Sequence, residues 1–399
     1  MIKAVRLAYN KAFSESHYLN MLAELSNQAP TTLGFRIAET PVFIDAAAKK
    51  ALLKAGDEIN AFITSVDFEE KTKNSFSSIV TPPNESPLPE CIVMDFALCK
   101  NNNNEVVPKL IELQGFPSLF GFEVMHDAAF RNNFDIPHGF SPYLNNYTQE
   151  SYLAHLRKII KGNQGKHTVL LELFPDQQKT KIDFEITQQL MDIPVVCVTE
   201  LVKEDCNLYY IRDHKKYRIE RIYNRVVWDE LEKQSSEVQA KAALLSTDVS
   251  LEWVTHPNHY YRISKYILPY LNSSFVPKTQ FLGDVHTMPD NLNDYVLKPL
   301  FSYAGQGVLI DVTKSDIEQI QDPQNWIMQE KVEYASMIET PSGPAKTEIR
   351  LFYFWDDTTK KYIATLNLAR LSKGKMIGVN YNANATWVGG SIAYFEMEA

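Results

Sequence analysis

Along this chain the period of the apolar positions changes twice. Over roughly the first 85 residues they recur at helical spacing, most clearly in Asp45–Phe62, where strong helix formers fill the places between. The proline-rich patch Thr81–Pro89 ends that regime. Ile92–Leu98 and Val106–Leu113 then read as two strands around the turn Asn101–Asn104. From about residue 150 to 230 the pattern alternates. A helix over Ser151–Lys161 stops at Gly162, Thr168–Leu173 reads as a strand, Asp183–Met191 as a helix and Pro194–Thr199 as a strand. This is βαβ patterning and predicts a small parallel sheet. A hairpin of Leu208–Ile211 and Tyr217–Tyr223 follows, then a polar helical stretch from Trp228 to about Leu245. From Phe275 onward strands dominate: Tyr295–Lys298, Val308–Asp311, Trp326–Glu330, Thr347–Phe354 and Tyr362–Leu371.

Composition narrows the class. The chain has 399 residues, 45% hydrophobic and 22% charged, enough for two or three packed lobes with ample core. Its net charge of −9 disfavours nucleic acid and anionic membrane as partners. No apolar run approaches the ~18 residues of a membrane span, and Met1-Ile-Lys-Ala-Val-Arg6 lacks a signal-peptide core. The four cysteines Cys91, Cys99, Cys197 and Cys206 fit neither zinc spacing nor a disulfide framework, so a reducing cytoplasm is expected.

The candidate chemistry centres on Tyr295-Val-Leu-Lys-Pro-Leu-Phe-Ser-Tyr-Ala-Gly-Gln-Gly-Val308. Lys298 closes an apolar strand just before a loop of small residues, Ser302 to Gly307. Gly305 and Gly307, flanking Gln306, let backbone N–H groups approach phosphate oxygens closely. Lys298 adds a point charge on a flexible stem. An ordinary hairpin with two glycines in its turn is the plain alternative. The spacing is not a Walker A loop, because Val308 follows Gly307 where Lys-Ser/Thr would stand. It is not a Rossmann fingerprint either, since strand character follows. Some twenty residues on, Trp326-Ile-Met-Gln-Glu-Lys-Val-Glu333 is an apolar strand turning polar. Backbone groups at Glu330, Lys331 and Val332, after Gln329, suit an adenine edge, and Glu333 suits a ribose hydroxyl. Arg370 ends the otherwise apolar Ala364–Arg370, where a charge must face water, a carboxylate or a phosphate. Gly389-Gly390 reads as a turn, and His256 and His259 as structural residues at a helix start.

This succession resembles the ATP-grasp superfamily over roughly residues 256–399. An ordinary member ends on a strand carrying Glu-x-Asn that holds magnesium. Here Glu112-Leu-Gln114 stands early instead, within Pro108-Lys-Leu-Ile-Glu-Leu-Gln-Gly-Phe-Pro-Ser118. That order resembles the circularly permuted branch, and within it the eukaryotic-type glutathione synthetases and glutathionylspermidine-synthetase-like proteins. The resemblance then covers nearly the whole chain. Val93-Met-Asp95 is similar to an Arg-Ser-Asp strand, Pro175-Asp-Gln-Gln178 to a substrate-lobe Asp-Gln motif, and Tyr223-Asn-Arg-Val-Val-Trp228 to a Tyr-Phe-Arg-x-x-Tyr motif. Ser264-Lys265 is similar to the first ATP lysine and Lys298 to the second.

The resemblance implies an α/β (α+β) chain with a permuted ATP-grasp fold and a small parallel βαβ substrate lobe. Residues 1–149 would supply helices and the metal strand, 150–250 the substrate lobe, and 251–399 the nucleotide-binding subdomains. Its function would be an ATP- and Mg2+-dependent carboxylate–amine ligase working through an acyl phosphate. Lys265, Lys298, Ser302, Gly305, Gln306, Gly307, Gln329, Glu330, Lys331, Val332 and Glu333 would bind ATP. Glu112 and Gln114, at i and i+2 on one strand face, would aim at one cation. Arg370 and Arg225 would act on the reacting groups, with Asp95, Gln177, Arg225 and Trp228 toward the acid. Partners would be a small carboxylate and amine, with no nucleic acid or membrane and a homodimer left open. Three departures weaken the match: Gln114 for Asn, Val93 for an arginine that binds substrate, and Ser302 for a third metal carboxylate. They keep two alternatives open, a weakened ATP-binding scaffold or regulator and an ATP-grasp kinase.

Overall fold

The computed structural model of the chain describes residues 2–29, 33–76, 82–162, 165–302, 305–377, 382 and 384–397. Thr81 of the expected loop, and Tyr303 and Ala304 of the glycine loop, lie outside them. The central element is a five-stranded antiparallel sheet in the order Gly389–Ser391, Lys361–Ser372, Lys346–Asp356, Cys91–Lys100, Val106–Gln114. An early hairpin is thus hydrogen-bonded beside two late strands, with Cys91 paired to Phe354 and Asp95 to Arg350. Alternation sends successive side chains to opposite faces. Cys91, Val93, Phe352, Phe354, Leu366 and Leu368 pack into one apolar cluster, while Ile92, Met94, Ile349, Leu351 and Tyr353 pack into another. The helix Ala46–Ile63 covers the second face. Its N-cap Asp45 accepts from Ala48 N–H at 2.9 Å, relieving one orphan donor. Gly56 faces Tyr353 so closely that a Cβ would fall 1.6 Å from the phenol oxygen.

The βαβ expectation is met. Thr168–Glu172 and Val195–Cys197 run parallel, joined through the helix Lys181–Met191. Arg221–Asn224 and Glu252–Val254 extend the sheet to four parallel strands. A third sheet, antiparallel, has the order Thr279–Phe281, Trp326–Glu330, Tyr295–Pro299. Among the described residues no helix is long and apolar enough to cross a membrane.

Four local readings need correction, the first being that Gly389-Gly390 is not a turn but part of the edge strand Gly389–Ser391, paired with Ala369–Leu371. Tyr217–Tyr223 is not one strand: Lys215–Ile219 closes a three-stranded meander, and Arg221–Asn224 joins the parallel sheet. Arg221 explains the break, because its guanidinium donates to Ile159 and Ile160 carbonyls and anchors that end on the helix Gln149–Lys161. Val308–Asp311 is not a strand but a single bridge, Leu297 to Leu309. The chain leaves it at once because Thr313 and Asp316 form a capping box that starts the helix Lys314–Gln319. The stretch from Trp228 is interrupted, with helices Trp228–Glu232 and Ser236–Ala243, the second capped by Ser235.

Candidate functional site

At one end, the face bearing Val93, Phe352 and Leu368 turns from apolar to charged. Strand register sets Arg350 opposite Asp95, Asp95 opposite Glu112, and Glu348 opposite Arg370. Asp95 is 1% exposed and accepts two bonds from Arg350, at 2.6 and 2.7 Å, and a third from Arg370 at 2.6 Å. Burial opposes ionisation of Asp95, but Arg350 and Arg370 outweigh it and hold the carboxyl below its usual range. Arg370 also donates to Glu348 Oε1 at 2.7 Å, and the Tyr334 hydroxyl donates to Glu348 Oε2 at 3.2 Å. Burial, with Arg370 opposing and Asp95 adding, pushes the Glu348 carboxyl up. Burial alone would lower the Arg370 pKa, but Glu348 and Asp95 raise it, so Arg370 stays cationic. Its Nε is buried without a hydrogen-bond partner among the described residues.

The lysines approach this ladder from the third sheet and from a short helix. Lys298, on Tyr295–Pro299, donates to Gln329 Oε1 at 2.6 Å and to the Ile111 carbonyl at 3.1 Å. Gln329 in turn donates to Thr279 Oγ1 at 2.9 Å. Lys265, first residue of the 3-10 helix Lys265–Tyr270, donates to the Ser302 carbonyl at 2.5 Å and lies 3.6 Å from Glu112 Oε1. Gln114 donates to the same Glu112 oxygen at 3.2 Å. Burial pushes Lys298 down to about 8, with Glu112 opposing and Lys265 adding to the shift. Burial lowers Lys265 as well, again with Glu112 opposing. Among the described residues no carboxylate forms an ion pair with Lys298, so this buried ammonium is held by neutral acceptors alone. Such a group is stabilised by an anion delivered to it.

Arg225 joins the ladder through Ser118, whose carbonyl accepts from Arg225 at 2.9 Å and whose hydroxyl accepts from Arg350 at 3.2 Å. Arg225 is buried between the rings of Phe116 and Phe184. Asp183 and Glu172 lie in its field, and burial, against Arg225, pushes their carboxyls up to about 6 and about 8.

Sequence reasoning thus singled out Asp95, Glu112, Gln114, Lys265, Lys298, Ser302, Gln329 and Arg370, which the fold brings into one linked group, with Arg225 one residue away. It missed Glu348, Arg350, Tyr334 and Ser118. The signal was present in Thr347-Glu-Ile-Arg350, where two opposite charges at i and i+2 share one face of a buried strand. Other residues stand outside the group. Gln177 is exposed, and Trp228 packs edge-on against Trp253 in an apolar cluster. Gly305 and Gly307 adopt φ of 75° and 71°, and with Gln306 they form an exposed turn. Glu330 and Lys331 N–H already donate to the Lys278 and Asp294 carbonyls, while Glu333 is exposed beyond them, after Val332. His256 and His259 hydrogen-bond to the carbonyls of Pro82 and Ser86 and pin the preceding loop.

For a magnesium ion the donor set is thin. Among the described residues no three His, Cys, Asp or Glu side chains are gathered as ligands. Glu112 and Gln114 supply two oxygens, which fits an ion that keeps waters and nucleotide phosphates as its other ligands.

No family model matches this sequence, and no curated protein matches it. Among solved structures, the chain is similar to a glutathione synthetase-like effector from Globodera pallida, solved in its apo form. The match covers 96% of this chain and 98% of that one, with a TM-score of 0.55 and 11% identity. At that identity the likeness is one of overall fold.

Proposed function

We propose that this chain is an ATP- and magnesium-dependent carboxylate–amine ligase of permuted ATP-grasp type, which activates an acid as its acyl phosphate and yields an amide. The observation that carries the reading is Lys298, a buried ammonium that forms no ion pair among the described residues, beside a second depressed lysine that lies 3.6 Å from Glu112. Lys265 and Lys298 would neutralise phosphate charge, and Glu112 with Gln114 would hold the metal. Arg370, kept cationic by its carboxylates, would stabilise charge on the transferring group. Arg225 would orient the acid. The shared fold with a glutathione synthetase-like effector supports this reading.

One observation favours a second reading, nucleotide binding without turnover. Arg370 is already committed to Asp95 and Glu348, so it must be released before it can act on a phosphoryl group.

The test is calorimetry and thermal melting with ATP and magnesium on wild type and Lys298→Ala. A ligand at one hundred times its dissociation constant adds about 2.7 kcal/mol. The expected result is a magnesium-dependent rise in melting temperature that the variant lacks. No shift in either protein would overturn the nucleotide site. Binding without ADP release across a panel of acids and amines would select the second reading.

A further inference from the structure

Lys298 is 8% exposed, and its Nζ has two acceptors, both neutral. The first is the Ile111 carbonyl at 3.1 Å. In the pairing of Cys91–Lys100 with Val106–Gln114, Asp95 stands opposite Glu112 and Phe96 opposite Leu110, so the ladder skips Ile111. That β-bulge turns a backbone carbonyl toward Lys298. The second is Gln329 Oε1 at 2.6 Å, on a residue 1% exposed.

An ammonium only donates, so the atom of the Gln329 amide that faces it is the oxygen. The amide nitrogen points the other way and donates to Thr279 Oγ1 at 2.9 Å. The Thr279 hydroxyl in turn donates to the Pro277 carbonyl at 2.8 Å. Each link runs in one direction, and the relay ends on backbone. Strand register builds it: Thr279 lies opposite Gln329, and Gln329 opposite Val296, two residues before Lys298 on the same face. A reversed amide would set its N–H donors against the ammonium. Gln329→Glu would keep the shape but neutralise Lys298, where the amide leaves the charge intact. Glu112 and Glu348 lie in the field of Lys298, and among the described residues neither forms an ion pair with it.

We propose that Gln329 is a positioning residue of this cleft. Fixed by Thr279, and acting with the bulged Ile111 carbonyl, it holds the Lys298 ammonium in place without cancelling its charge, which reserves that charge for a polyphosphate anion. The assignment deepens the nucleotide reading of the cleft and rests on it for the identity of the anion.

The test pairs calorimetric titration of ATP and of inorganic tripolyphosphate, each with magnesium, with thermal melting of the ligand-free full chain. In Gln329→Glu the melting temperature is expected to rise, because a buried cation gains a counter-ion, while affinity for both anions falls about tenfold or more. A merely structural glutamine would move stability and affinity in the same direction. Thr279→Val removes the hydroxyl and keeps the shape; it is expected to weaken binding, and Thr279→Ser to restore it. That pair decides the matter should Gln329→Glu fail to fold. Unchanged affinity in Gln329→Glu, a folded Gln329→Glu with both melting temperature and affinity lowered, or Thr279→Ser binding no better than Thr279→Val would overturn the proposal and leave the nucleotide reading standing. Tripolyphosphate binding that Gln329→Glu weakens, without ATP binding, would uphold the proposal and overturn the nucleotide reading. No binding of either anion to the wild-type chain would overturn both.

Discussion

At the scale of single residues, function and stability compete most plainly in the buried ionisable groups. Asp95 compensates two arginines at once, so Asp95→Asn should leave Arg350 and Arg370 short of charge inside the protein. A loss of about 3–5 kcal/mol is expected, read as a lowered denaturant midpoint; a loss near zero would show that Glu348 alone suffices. Glu172 makes a prediction in pH. Its ordinary pKa is 4.5, and burial, against Arg225, raises it to about 8 in the folded chain. The folded state therefore holds the proton more tightly. Its contribution is complete below pH 4.5 and is lost as pH rises through 8. Relative to Glu172→Gln, wild type should lose about 5 kcal/mol across that window, measured by urea unfolding at several pH values. A flat difference between the two proteins would mean that Arg225 already keeps Glu172 ionised.

At the scale of elements, close approach decides more than propensity. Alanine favours a helix over glycine by about 0.8–1 kcal/mol. Gly56→Ala should nevertheless destabilise, by about 1–3 kcal/mol, because its Cβ would meet the Tyr353 hydroxyl. Adding Tyr353→Phe should recover part of that loss, and thermal melts of the single and double variants would show it. The same scale explains what the sequence disclosed. Long elements with regular alternation or caps were legible: the helix after Asp45, the strands from Cys91 and Lys346, and the parallel pair around Lys181–Met191. The break at Glu220 was not, because it depends on Arg221 reaching carbonyls some sixty residues earlier. Nor was the short bridge at Leu309, where a side-chain cap at Thr313 overrides an apolar run. In the site, Lys298 was legible because it closes an apolar strand, and Lys265 and Glu112 through the resemblance of their motifs. Glu348 and Arg350 were not, because each lies inside one, and their mutual neutralisation appears only once Asp95 and Arg370 are set beside them.

At the scale of the whole molecule, the central sheet joins distant parts of the chain. Nine of the ten residues of Cys91–Lys100 are buried, which requires Lys346–Asp356 on one side of the strand. A fragment covering residues 2–345 should therefore lack a cooperative thermal transition, as followed by circular dichroism. A sharp transition in that fragment would show that the early hairpin is covered without its late partner. Pairing of this kind, over a long stretch of sequence, also raises contact order and slows folding.

The same pairing has a consequence at the ribosome. Roughly 250 residues separate the end of the early strand from the start of its partner, an interval of about 12–50 s at synthesis rates of about 5–20 residues per second. Throughout it, an apolar strand edge is made but unpaired in the nascent chain. Yield in a cell should accordingly depend on chaperones that shelter that edge until Lys346–Asp356, in about the last seventh of the chain, emerges.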